Sequence, residues 1–248
     1  MNNLIILQAR TGSKRFPGKV LMPLNGKPMI EWQIKRLQSA RIAPIVLATT
    51  SDSSDDQLVK IVESLEIEVF RGSVNNVVQR FEEVIRKKEP DFFVRITGDC
   101  PLIMPKILVD MDTIYRDTPK DYFSNTLKTT FPDGLDAEFV SVNAFKRMLR
   151  MTLGDQEREH VTLALYRHPE LFTLANYENK SDDGKLRWTV DYPEDLAFVR
   201  NVYEHFEGKE LDFDFQDVMN LLGSGQVPEN EISYKFRNIA LQNEVSEK

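Results

Sequence analysis

Apolar positions along this chain follow two alternating rhythms. Short β-branched or leucine-rich runs at residues 4–9, 44–49, 67–70 and 92–97 have the character of buried strands. Between them, residues 29–40, 54–65 and 74–88 repeat apolar side chains at helical spacing. Ile30, Ile34 and Leu37 share one face of the first, and Val77, Val78, Phe81, Val84 and Ile85 one face of the last. Ser and Asp residues over 51–56 supply capping groups for the second. A βαβαβαβ order predicts a parallel, doubly wound sheet with right-handed crossovers.

After Pro105 the rhythm becomes mixed. Residues 137–142, 172–175 and 187–190 read as strands. Residues 143–151, 157–167, 193–207 and 215–222 read as helices, with Pro193 in a first turn. The tail beyond Gly225 reads as irregular or peripheral. No linker, repeat or low-complexity segment interrupts the chain, so one domain over 1–248 with a mixed C-terminal extension is expected.

Composition narrows the function. At 248 residues a sizeable core is available. With 32 basic and 39 acidic residues the net charge is −7, which argues against a general basic surface and hence against a nucleic-acid partner. A single cysteine, Cys100, excludes an internal disulfide and a cysteine-based zinc cluster, and fits a reducing cytoplasm. The apolar run at 4–7 is too short for a signal peptide, and no run approaches the ~20 apolar residues of a membrane helix.

The first candidate chemistry follows the first strand. Arg10, Lys14, Arg15 and Lys19 lie in a loop broken by Gly12, Pro17 and Gly18. Arg offers a bidentate fork to phosphate oxygens and Lys a mobile point charge. A solvated surface loop would have the same composition. Its place after the first strand of a parallel sheet favours a ligand site, because ligands bind at the carboxyl ends of such strands. The loop carries neither GxxxxGK[ST] nor GxGxxG.

Two carboxylates occupy similar places. Asp99 in Thr97-Gly98-Asp99-Cys100-Pro101-Leu102 follows the fourth strand, and Asp191 in Asp191-Tyr192-Pro193-Glu194-Asp195-Leu196 precedes a helix. Each has a bland alternative as a cap, with Glu194 and Asp195 favouring the helix N-terminus. A hard divalent cation shared with phosphates needs one or two such groups.

These segments together resemble a known family. Residues 9–19 with Asn25-Gly26-Lys27-Pro28-Met29-Ile30 are similar to the N-terminal signature of sugar-acid cytidylyltransferases, the Kdo and acylneuraminate types. The whole chain looks most like the spore-coat polysaccharide biosynthesis F branch. The resemblance implies an α/β, Rossmann-like nucleotide-diphospho-sugar transferase fold, a mostly parallel twisted sheet flanked by helices. Residues 1–104 would form the nucleotide-binding half, and 105–225 would supply acceptor contacts and the second metal ligand. It implies CTP and a sugar acid as substrates, Mg2+ held by Asp99 and Asp191, a cytoplasmic homodimer, and a role in surface polysaccharide synthesis. Arg10, Ser13 and Lys19 would contact the triphosphate, with Arg10 and Lys19 stabilising pyrophosphate. Ala9, Gly12, Arg71, Asn76, Arg80 and Thr97 complete the expected nucleotide set. Asp136 and Glu138, near the Gly134 turn, and Arg158 and His160 are the expected acceptor contacts. On an extended strand Asp136 and Glu138 would lie two positions apart, and either could serve structure alone.

Other readings stay open at the level of sequence. One is a nucleotidyltransferase acting on a sugar 1-phosphate with another NTP, and another is a non-catalytic nucleotide binder with a degenerate site. A glycosyltransferase would carry an Asp-x-Asp motif after a strand, whereas Asp110-Met111-Asp112 falls in a helical pattern.

Overall fold

In the computed structural model, which describes residues 1–230, β1 (Asn3–Gln8) runs through the middle of the sheet. Its side chains divide between two apolar clusters, Ile5 and Leu7 on one side and Leu4 and Ile6 on the other. A strand covered on both faces has to be apolar almost throughout, and this explains the unbroken run. After the cationic loop, β2 (Pro23–Leu24) and β3 (Lys27–Pro28) form a small hairpin. Asn25 and Gly26 turn it at φ 41° and 75°, the left-handed geometry for which Asn-Gly is suited.

The chain then alternates through α1 (Met29–Ala40), β4 (Ile45–Thr50), α2 (Asp56–Ser64), β5 (Glu68–Gly72), α3 (Val77–Lys88) and β6 (Phe92–Thr97). The second half adds α4 (Pro105–Asp117), β7 (Tyr122–Ser124), β8 (Glu138–Ser141), α5 (Val142–Met148), α6 (Asp155–Glu159), α7 (Leu163–Arg167) and β9 (Leu174–Asn176). It ends in α8 (Pro193–His205) and α9 (Phe215–Gly223). The sheet order is β5-β4-β1-β6-β8-β7-β9. The first four strands are parallel, β8 is antiparallel to both neighbours, and β7 and β9 are parallel. The expected mostly parallel α/β fold with a mixed extension is therefore present. Ile34, Leu58, Met111, Val199 and Leu221 bring α1, α2, α4, α8 and α9 onto one face. Phe81, Phe145 and Leu165 bring α3, α5 and α7 onto the other.

Several sequence expectations need correction. Residues 187–190 form no strand: Arg187 makes a single bridge with Asp133. Trp188, Thr189 and Val190 are buried and so look strand-like, but the backbone N–H of Val190 bonds to Asp99 O in a loop at 2.8 Å. The expected helix at 157–167 is two short helices. Between them Val161, fully buried in the second cluster, and Thr162 turn into the core. The helix read as 74–88 begins at Val77, because Asn76 caps it by accepting from the Gln79 N–H at 2.9 Å. The helical pattern at Asp110-Met111-Asp112 belongs to α4, which begins at Pro105, whereas strand β7 has no counterpart in the expected elements. Part of the expected irregular tail, residues 231–248, lies outside the described residues.

The ends of β1 and β6 meet at Gly98. Its N–H bonds to Gln8 O at 2.8 Å, and a Cβ there would lie 2.5 Å from the Ala9 Cβ. This close approach brings Asp99 beside the cationic loop. Gly98→Ala is expected to destabilise the protein by about 1–3 kcal/mol through overpacking, measured by urea unfolding. An unchanged midpoint would show that the strand ends can part freely.

Candidate active site

The cationic loop closes on one residue. Thr11 O accepts from the N–H groups of both Ser13 and Gly18 at 2.8 Å, and Gly18 adopts φ 73°. The next turn, Lys19–Leu21, buries Lys19 and aims it across the molecule. Its ammonium donates to Asp99 Oδ2 at 2.9 Å and to Asp191 Oδ1 at 2.8 Å. Three parts of the chain, the loop, the end of β6 and the entry to α8, thus meet at one nitrogen. Burial would lower the Lys19 pKa, but the charges of Asp99 and Asp191 outweigh it and raise the value. Burial would raise Asp99, yet the Lys19 charge and the hydrogen bonds around the carboxylate hold it below the usual range. Asp191 is also held low: Lys19 and Arg15 overcome burial and the repulsion of Asp99.

Asp191 sits in a built support. Arg15 reaches Asp191 Oδ2 at 2.7 Å, and Arg187 reaches the same oxygen at 3.3 Å. Arg187 is buried and donates to both oxygens of Asp195, at 2.9 and 3.0 Å, and to Asp133 at 2.9 Å. Asp195 in turn accepts from the N–H groups of Asp191 and Tyr192 at 2.8 and 2.9 Å. Asp195 is fully buried, so its charge is compensated inside the protein by a bidentate Arg.

A cleft of about 320 Å³ opens over these groups. Of the residues expected to act on the nucleotide, Ala9, Arg10, Ser13, Lys19, Arg80, Thr97, Asp99 and Asp191 line it. Arg80 is 1% exposed, and its Nε and Nη1 have no hydrogen-bond partner among the described residues. Burial and then the neighbouring Arg10 charge lower its pKa to about 10. A buried guanidinium facing a cleft beside a second Arg is suited to an anionic ligand.

Other expected residues are placed elsewhere. Gly12 does not line the cleft. Arg71 does not either: its guanidinium binds Thr50 O at 2.9 Å, Asp52 O at 2.6 Å and Asp56 at 2.6 Å, a tie between strand end and helix start. Asn76 and Arg158, expected on opposite substrates, line the same neighbouring cleft of about 440 Å³, which shares Arg10, Lys14 and Glu159 with the first. Glu138 pairs with Arg95, whose Nε also reaches Gln8 at 3.1 Å. Asp136 precedes β8, and Asp136, Glu138 and His160 line neither cleft. Sequence reading also missed Asp55, treated only as part of a capping run. It is fully buried and accepts hydrogen bonds from Thr11, Thr49 and Thr50. The Asp-rich turn over 51–56 was the available signal.

A parallel sheet whose first strand feeds a cationic loop, facing two carboxylates across a cleft, is an arrangement suited to a nucleoside triphosphate and its metal, and the comparisons with known proteins place the chain among the nucleotidyltransferases. The sequence model of the cytidylyltransferase family matches residues 4–215. The chain belongs to the cytidylyltransferase family. It is 32% identical over 231 residues to the spore coat polysaccharide biosynthesis protein SpsF of Bacillus subtilis (strain 168), spanning 90% of this chain and 95% of that one. An 8-amino-3,8-dideoxy-manno-octulosonate cytidylyltransferase of Shewanella woodyi is 33% identical over 133 residues, which span 51% of this chain and 53% of that one. Among solved structures, a cytidylyltransferase from Leptospira borgpetersenii superimposes with a TM-score of 0.87 at 30% identity, over 91% of this chain and 95% of that one. The CMP:2-keto-3-deoxy-manno-octonic acid synthetase complexed with CTP shares the fold, with a TM-score of 0.61 at 20% identity, over 83% and 99%. No helix among the described residues is long and apolar enough to cross a membrane.

Two outcomes follow from the support network. Arg187→Met strands the buried Asp195 carboxylate and is expected to cost about 3–5 kcal/mol in urea unfolding. A loss under 1 kcal/mol, the size of an exposed pair, would contradict the buried-hub description. Asp55 offers a pH test. Burial would raise it, but the Thr11 N–H and the hydroxyls of Thr50, Thr11 and Thr49 hold it below its ordinary value. Its stabilisation is complete above the unfolded value of ~4 and is lost as pH falls through the lower folded value. The thermal midpoint should drop on acidification below about pH 4, and less steeply in Asp55→Asn. Equal slopes would count against it.

Proposed function

We propose that this chain transfers CMP from CTP to the anomeric hydroxyl of a 2-keto-3-deoxy sugar acid, releasing pyrophosphate, in surface polysaccharide synthesis. The observation that carries the reading is the convergence of Asp99 and Asp191 on one cationic point, 2.9 and 2.8 Å from Lys19 Nζ, in the wall of the cleft that Arg10, Ser13 and Arg80 line. Two relatives, an 8-amino-3,8-dideoxy-manno-octulosonate cytidylyltransferase and a spore coat polysaccharide biosynthesis protein, support the substrate class. The chain is proposed to act as one domain and as a cytoplasmic homodimer. Residues 1–104 would hold the nucleotide, and 105–225 the acceptor and the second carboxylate.

Mg2+ fits the residues present. Two hard carboxylates, Asp99 and Asp191, flank one point, which the Lys19 ammonium occupies in this structure, and two is a number that Mg2+ takes when phosphates and water complete its shell. Asp99 and Asp191 would hold it. When bound, it supplies charge neutralisation on the triphosphate and polarises the phosphoryl oxygens.

The chain's own groups have separable tasks. Arg10, Lys19 and Arg80 bring positive charge to the triphosphate, and Arg10 and Lys19 stabilise the charge that gathers on departing pyrophosphate. Ser13 lines the cleft, and its hydroxyl can donate to a phosphate oxygen there. Arg187, Asp195 and Arg15 keep Asp191 in place, so that no reorganisation is needed during the reaction.

The direct test is pyrophosphate release with each of the four NTPs and Mg2+, against 2-keto sugar acids and sugar 1-phosphates. Release confined to CTP with a keto acid is expected. Release with another NTP and a sugar 1-phosphate overturns the reading. Asp99→Asn and Asp191→Asn are each expected to lower kcat/KM by about 10²-fold or more, or ~2.7 kcal/mol. Near-normal kinetics in both would remove the carboxylates from the chemistry.

A further inference from the structure

Asp55 carries a buried charge that the reaction itself does not use. It lies in the turn Ser53–Asp55, is fully buried, and does not line the main cleft. Its two oxygens serve different elements. Oδ1 accepts from Thr11 N–H and from Thr11 Oγ1, both at 2.7 Å. Oδ2 accepts from Thr49 Oγ1 at 2.8 Å, from Thr50 N–H at 3.1 Å and from Thr50 Oγ1. One oxygen therefore holds the cationic loop and the other the end of β4.

The loop residue held this way is its hub. Thr11 O receives the N–H groups of Ser13 and Gly18, so the loop folds back upon Thr11. Arg10 precedes the hub and Lys19 follows the closing Gly18. The Thr11 hydroxyl also reaches Ser54 O at 3.1 Å, which reinforces the same anchor. Two cations that must point at one ligand are thus referenced to a single buried carboxylate. Its charge also acts favourably on Arg80, which burial and Arg10 otherwise disfavour.

We infer that Asp55 is a positioning residue of the nucleotide site, pinning the loop hub Thr11 to the end of β4 so that Arg10 and Lys19 face the triphosphate. It touches no substrate. An asparagine in its place keeps one oxygen and turns an NH2 toward donors on the other side, which breaks the clamp between loop and strand. The inference rests on the nucleotide-binding reading above.

The experiment uses the full-length protein. CTP and inorganic triphosphate binding are measured by calorimetry, together with thermal midpoints and the KM for CTP against kcat. Asp55→Asn is expected to weaken CTP binding by about tenfold or more, since a charged hydrogen-bond acceptor is lost from the loop. Thr11→Val removes one loop-side donor and should weaken binding by a smaller factor, raising KM for CTP more than it lowers kcat. It also carries the test if Asp55→Asn does not fold. Thr49→Val removes a strand-side donor and is expected to lower the thermal midpoint while leaving CTP affinity in place. A midpoint loss in all variants with unchanged CTP affinity in Asp55→Asn and Thr11→Val would make Asp55 structural only, and would overturn the inference. Failure of the wild-type protein to bind CTP would instead overturn the functional reading, and the inference with it.

Discussion

The contact of Lys19 with Asp99 and Asp191 is the interaction around which this molecule is organised. It joins residues separated by 80 and 172 positions in sequence. One ammonium draws the loop after β1, the end of β6 and the entry to α8 to a single point. Such a contact costs loop-closure entropy that only a packed scaffold can offset. The scaffold here is the parallel half of the sheet, whose β1 and β6 ends touch at Gly98. Two carboxylates this close would repel each other, so a shared cation is what makes their proximity stable.

Around that point the protein spends buried charge on orientation. Arg187 with Asp195 and Asp133 supports Asp191 from one side. Asp55 supports the cationic loop from the other. Both supports are buried and hydrogen-bonded on several sides, the condition under which an interior charge is tolerated. Surface pairs such as Lys106 with Asp110 contribute little by comparison. Arg80 differs from the supports: its buried Nε and Nη1 find no protein acceptor among the described residues, and the residue lines the cleft.

The second half of the chain reaches back across the first. Helix α6 lies near α3, and Arg158 and Asn76 share one cleft although sequence reading set them on different substrates. Residues 187–191 cross the ends of β6 as a buried loop held by Asp99 O rather than as a sheet strand. This crossing is why a carboxylate far along the chain can complete a site begun at Lys19.

Sequence by itself determined the parallel half of the fold, because strands buried on both faces must be apolar and helices between them must present one apolar stripe. It also determined where the cationic loop and the two carboxylates lie, since Gly and Pro breaks next to strand ends leave a local mark in residues 10–19, 98–101 and 191–193. It did not determine which neighbours those groups would find. Arg71 and Arg80 have the same chemistry, yet one is tied to the turn after β4 and the other faces the cleft. Asp55 looked like a helix cap, and only the packing of its turn against Thr11 made it an anchor. Burial made residues 187–190 resemble a strand, whereas their hydrogen-bond partners made them a loop. Periodicity and turn chemistry are local and can be read along the chain. Long-range pairing of charges depends on which surfaces pack together, and only the tertiary structure decided that.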